Sequence, residues 1–77
     1  MKIRKDVRID ILENYGYHYE PNLAFPTYKK VQEYGSGYIV IEIVITNREI
    51  FINKSKHITK KNILFINDLI RNNLIEK

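Results

Sequence analysis

Few side chains in this sequence can do chemistry, and their spacing decides which kind. The only imidazoles are His18 and His57. His18 stands two residues before Glu20, a pairing too common to mark an acid–base site, while His57 has Lys54, Lys56, Lys60 and Lys61 around it. Four ammonium groups near one imidazole oppose a bound metal cation. Ser36 lies in a Gly-Ser-Gly turn and Ser55 in the lysine segment, neither in a nucleophile motif. There is no glycine-rich phosphate loop. Asp6, Asp10, Glu13 and Asp68 read as helix caps and solvated helix faces. These residues predict no catalytic centre, no cofactor and no metal. They predict a protein that acts by binding.

Two groups of residues carry binding chemistry. The first is the segment 54–61, whose Lys54, Lys56, Lys60 and Lys61 face no acid and together equal the net charge of +4. Elsewhere the charges cancel. The segment runs into an expected helix start, where free N–H groups favour anions and lysine otherwise opposes the dipole. It reads either as a site for an anion or an acidic partner, or as a solvated loop that keeps the protein soluble. The second group is aromatic, with six tyrosines and three phenylalanines in 77 residues.

The elements that position these groups follow from patterning. Val7 to Tyr15 predicts a short helix, capped by Asp6, with Val7, Ile11, Leu12 and Tyr15 as its stripe and Gly16 closing it. Residues 17–20 alternate and allow a brief strand. Pro21 and Pro26 then bracket a loop whose Leu23 and Phe25 are expected to tuck onto the core. Tyr28 to Tyr34, Tyr38 to Thr46 and Glu49 to Asn53 read as strands joined by turns at Gly35-Ser36-Gly37 and Asn47-Arg48. A closing helix is expected from about Lys60 or Ile63 to Ile75, capped by Thr59 or Asn62. Ile63, Ile66, Leu69, Ile70 and Leu74 give it an apolar face, with Phe65 at the margin.

The expected fold is α+β: an antiparallel three- or four-stranded β-meander flanked by an N-terminal and a C-terminal helix packed on one sheet face. Residues 1–77 form a single domain. A chain this short buries only about 60% of its unfolded surface. It has no cysteine to add a disulfide or thiolate site. No apolar run approaches the ~20 residues of a membrane span. The Met1 to Lys5 start is basic with no apolar stretch behind it, so a signal peptide is not expected. The expected location is cytoplasmic.

Period-2 geometry assigns the faces. Ile39, Ile41, Ile43 and Ile45 share the face expected to be core, with Ile45 opposite Ile50 and Ile43 opposite Ile52. A three-residue loop at Gly35-Ser36-Gly37 sets Val31 opposite Ile41. The other face then carries Tyr38, Val40, Glu42 and Val44, with Tyr28, Lys30, Gln32 and Tyr34 on one side and Phe51 on the other. Lys30 is expected opposite Glu42. Either residues 17–27 and the first helix cover this face, or it is an exposed contact surface.

Isoleucine, lysine and asparagine number 14, 9 and 8, a bias of AT-rich genomes. The opening Met1 to Val7, the stretch Leu12 to Tyr17 and the ending Asp68 to Lys77 resemble small phage and prophage accessory proteins of Gram-positive bacteria. The resemblance covers under half of the chain. It implies a phage accessory gene, and such proteins commonly occupy a site on a host protein, including antiviral-defence factors. The expected function is thus a non-enzymatic protein that binds a host or phage protein in the host cytoplasm and inhibits a host or defence factor. Tyr28, Tyr34, Tyr38 and Phe51 would anchor that partner, and Lys54, Lys56, Lys60 and Lys61 would steer an acidic surface. Homodimerisation through the same face is open. The alternative is nucleic-acid binding by the segment 54–61 with the tyrosines as a stacking platform.

Overall fold

The alternating isoleucines of the central strand organise the molecule. In the computed structural model, which describes residues 1–21 and 24–77, that strand is β3 of a four-stranded sheet. The strands are β1 (His18–Glu20), β2 (Thr27–Tyr34), β3 (Gly37–Val44) and β4 (Ile50–Lys54). They lie side by side in chain order, every pair antiparallel. A 3₁₀ helix, Ile9–Tyr15, precedes the sheet; a second, Asn62–Ile66, leads into helix α1, Asn67–Arg71. This is the expected α+β meander, with four strands. No helix of the described residues is long and apolar enough to cross a membrane.

Ile39, Ile41 and Ile43 are fully buried on one side of β3. Leu12 of the first 3₁₀ helix, Phe65 and Ile66 of the second, and Leu69 of α1 join them in one core. Apolar area removed from water on this side alone stabilises the fold, at roughly 25 cal/mol per Å².

Three features depart from the patterns in the sequence. The β2–β3 turn contains two residues, not three: Tyr34 pairs with Gly37, Val31 with Val40 and Lys30 with Ile41. Gly35 takes φ 62° while Ser36 stays at negative φ, as in a hairpin turn with glycine at its first central position. Gly37 lies in the strand, where Ser55 Oγ and His57 Cε1 are 2.7 Å from the place a Cβ would take, so the position has room only for glycine. A one-residue slip turns every β2 side chain over. Tyr28, Lys30 and Gln32 therefore share the isoleucine side, and Lys29, not Lys30, lies opposite Glu42.

The β3–β4 pairing is displaced by two, so that Ile43 opposes Ile50 and Ile41 opposes Ile52. A shift of two preserves the faces. Its cause is the connection: Arg48 adopts φ 61° and its amide donates to the Val44 carbonyl, while the Ile45 amide turns to the Pro26 carbonyl. The Arg48 guanidinium donates to the carbonyls of Arg4, at 2.7 Å, and Val7. It thereby ties the β3–β4 loop to the N-terminal segment.

Both flanking helices are shorter and tighter than expected. The first starts at Ile9 after Arg8, and Asp6, rather than capping it, pairs with Arg4 at 2.6 Å. The expected C-cap at Gly16 is present, with φ 87°. In the closing segment the first turn is 3₁₀, with three residues per turn. That rotation buries Phe65 and leaves Ile63 and Leu64 about half exposed. Lys61 precedes it without a side-chain cap, so neither Thr59 nor Asn62 caps it.

The N-terminal segment is structural too. Ile3 is fully buried and bridges Ile75, and Lys2 bridges Glu49.

Candidate functional site: the open sheet face

The pairing places His18 and Glu20 of β1, Thr27, Lys29, Val31 and Glu33 of β2, Tyr38, Val40, Glu42 and Val44 of β3, and Phe51 and Asn53 of β4 on one side. This is the side away from the isoleucine core. Val31 is 62% exposed, Tyr38 58% and Phe51 50%. Val31 and Tyr38 stand on neighbouring strands beside Val40, so their apolar surfaces are continuous. The described residues of the segment 17–27 do not cover them.

At the other end of this face lies an open cleft of about 390 Å³. Phe25 and Phe51 are among its walls, with Thr27, Glu42, Val44 and Asn53 also lining it. Phe25 does not tuck onto the core; it is 65% exposed. The expected placement of Leu23 lies outside the described residues. Thr27 is 4% exposed, and its Oγ1 finds no hydrogen-bond partner among the described residues. Among those residues Glu42 makes no ion pair either.

The electrostatics of this face differ from those of the whole chain. Its register positions carry three carboxylates, Glu20, Glu33 and Glu42, against the single Lys29. The protein is basic overall, yet its open face is acidic.

The structure brings together only part of the expected site. Tyr38 and Phe51 stand on the open face. Tyr28 does not: it is 6% exposed on the core side, and its hydroxyl donates to Glu13 Oε2 at 3.2 Å. Burial first, and the Glu13 carboxylate after it, raise the Tyr28 phenol above its ordinary range. Tyr34 packs edge-on against Phe65, ring centroids 5.5 Å apart. Both are removed from the contact surface by the one-residue change of register.

The four lysines are not on this face. Lys54 pairs with Ile39, so its side chain turns to the core side, where Nζ donates to the Lys60 carbonyl at 2.5 Å. Lys56, Lys60 and Lys61 are exposed on the loop that leaves β4. That loop is braced, with Ile58 buried and Ser55 Oγ accepting from the Tyr38 amide at 3.0 Å. His57 Nε2 meets Ser36 Oγ at 3.2 Å. A hydroxyl beside an imidazole is the geometry of a nucleophile and its base, but such a pair needs a third group to orient the ring. Among the described hydrogen bonds His57 makes only this one, and its ring packs on Gly37. The pair locks the hairpin to the loop.

Val31 and Phe25 were not visible as site residues in the sequence. A two-residue turn with glycine first would have put Val31 outward. Nothing in the pattern exposes Phe25.

Comparison with known protein families, with curated proteins and with solved structures gives no match. The reading of this face therefore rests on its own chemistry.

Proposed function

We propose that this is a non-enzymatic binding protein that docks a protein partner on the open sheet face. The observation carrying this reading is the joint exposure of Val31, Tyr38 and Phe51 on one side of a sheet whose other side holds the core. Large exposed apolar side chains grouped on a small protein mark contact surfaces. Tyrosine and phenylalanine bring contact area at low entropic cost, and a few such anchors carry most of the affinity of an interface.

The resemblance of the chain ends to phage and prophage accessory proteins supplies the setting. In that setting the partner is a host or phage protein, and occupying it inhibits a host or antiviral-defence factor. The charge arrangement favours a protein over nucleic acid, because three carboxylates beside the apolar patch repel phosphate. It also changes the expected complement. An acidic face fits a basic partner surface, whereas the lysines of the segment 54–61 project from elsewhere.

The test is co-purification of the tagged protein from host lysate, with and without nuclease, using the native chain, Val31→Glu and Tyr38→Ala. A near-stoichiometric protein that survives nuclease is expected, weakened at least about 30-fold by either change, as for a central interface anchor. Retention of nucleic acid that both variants leave unchanged would overturn the reading.

A further inference from the structure

The cleft at the Phe51 end of the open face has a composition that the rest of the patch lacks. Two aromatic rings, Phe25 and Phe51, line it along with one carboxylate, Glu42. Glu42 is its only charged residue among those described, and no cation there neutralises it. Lys29, its cross-strand neighbour, does not come within ion-pairing distance. Thr27 also lines it, although its hydroxyl oxygen is buried away from solvent and is not presented to the cleft.

Each feature selects the same chemistry. Aromatic rings attract a cation over their faces and accept the apolar stem that carries it. A free carboxylate selects a positive charge and strengthens the hydrogen bonds it accepts. An arginine or lysine side chain meets both conditions.

We infer that the Phe25–Phe51 cleft receives a cationic side chain from a basic segment of the protein partner, with Glu42 as its counter-ion. This rests on the protein-binding reading and specifies the partner's charge. Arginine fits better than lysine, because its planar guanidinium can stack on a ring while its N–H fork meets both oxygens of the Glu42 carboxylate. A second copy of this chain is a poorer occupant: two open faces brought together would oppose three carboxylates with three. A phosphate is excluded by the charge of Glu42.

The test uses the whole isotope-labelled protein and two probes in an NMR titration, N-acetyl-arginine methylamide and its uncharged norleucine counterpart. The arginine probe is expected to shift the Thr27, Glu42 and Phe51 amides. The norleucine probe should do so at least about fivefold more weakly, as should the arginine probe on Glu42→Gln, reflecting loss of one cation–π and ion-pair contribution. Glu42→Gln preserves shape, so its fold is retained, and Phe51→Leu provides a second variant that removes the ring alone. Equal response to both probes, no response at these amides, or no effect of Glu42→Gln would each overturn the inference. Capture through Val31 and Tyr38 is read separately. If Tyr38→Ala releases the partner while Glu42→Gln retains it fully, the cationic occupant fails and the protein-binding reading stands.

Discussion

The two sides of the sheet are built on different terms. On the closed side Ile39, Ile41 and Ile43 meet Leu12, Ile66 and Leu69, all fully buried. On the open side Val31, Tyr38 and Phe51 are at least half exposed and alternate with Lys29, Glu33 and Glu42. One strand, β3, supplies both sides in strict alternation. The contrast separates a face that supplies the core from a face that folding leaves exposed. In a domain this small a single core is what the chain can build.

The largest expected effect tests that division directly. Ile41→Ala removes a fully buried side chain opposite Ile52 and Lys30. It should cost about 2–5 kcal/mol, a sizeable part of a small domain's stability. Val31→Ala, on the neighbouring strand but facing outward, should stay within about 0.5 kcal/mol. Urea unfolding of both variants measures this. Similar losses in the two would mean that the open face is not open, and that a second core lies beneath residues 17–27.

How much of this division could be read in advance depended on single residues. The alternation within β3 needed no partner strand, so the core isoleucines and the outward Tyr38 were legible. Phe51 was also legible, because the β3–β4 pairing moved by two and left the faces unchanged. Tyr28 and Tyr34 were not, because their side of the sheet hung on whether Gly37 belongs to the turn or to the strand. Local sequence cannot decide that. In the fold Gly37 belongs to the strand, against Ser55 and His57 side chains that stand where a Cβ would. Ile3 was missed for a similar reason: its burial comes from bridging to Ile75, and no periodicity announces such a contact. The exchange of Phe65 for Ile63 in the core reflects a 3₁₀ turn where the pattern was read at 3.6 residues per turn.

Gly37 gives the next test, since it decides which face of β2 is which. Gly37→Ala places a methyl group 2.7 Å from His57 Cε1 and from Ser55 Oγ. Relieving that overlap should cost about 1–3 kcal/mol. Glycine's φ freedom is not at issue here, because Gly37 is not among the positive-φ residues; the constraint is space. Thermal melting would show the loss, and Ser55→Gly in the same chain should restore part of it by removing one of the two obstructing side chains. If Gly37→Ala is silent, the loop does not fix the register, and the two faces of β2 are interchangeable at low cost.

The smallest expected effect lies inside the closed side and appears only in alkali. Tyr17 is 1% exposed, its hydroxyl has no hydrogen-bond partner among the described residues, and Lys30 Nζ stands 5.3 Å over its ring. Burial, and secondarily the Asp68 carboxylate, push its phenol well above the ordinary value of 10.0. The unfolded chain therefore releases this proton first as pH rises, so the folded state binds more protons and loses stability above pH 10. Below that value the contribution is fully present. Tyr17→Phe keeps the packed ring and deletes a hydroxyl that gains nothing in the fold, so at pH 7 its stability should match the native chain within about 1 kcal/mol or exceed it. Between pH 10 and 11 the native chain should fall relative to the variant, with a slope of at most about 1.4 kcal/mol per pH unit. Urea midpoints of both chains at neutral and alkaline pH decide the matter. Tyr28, also raised, acts in both chains and cancels in the difference. A parallel decline of the two would show that Tyr17 ionises as readily folded as unfolded, and that the closed side admits water at its β1 end.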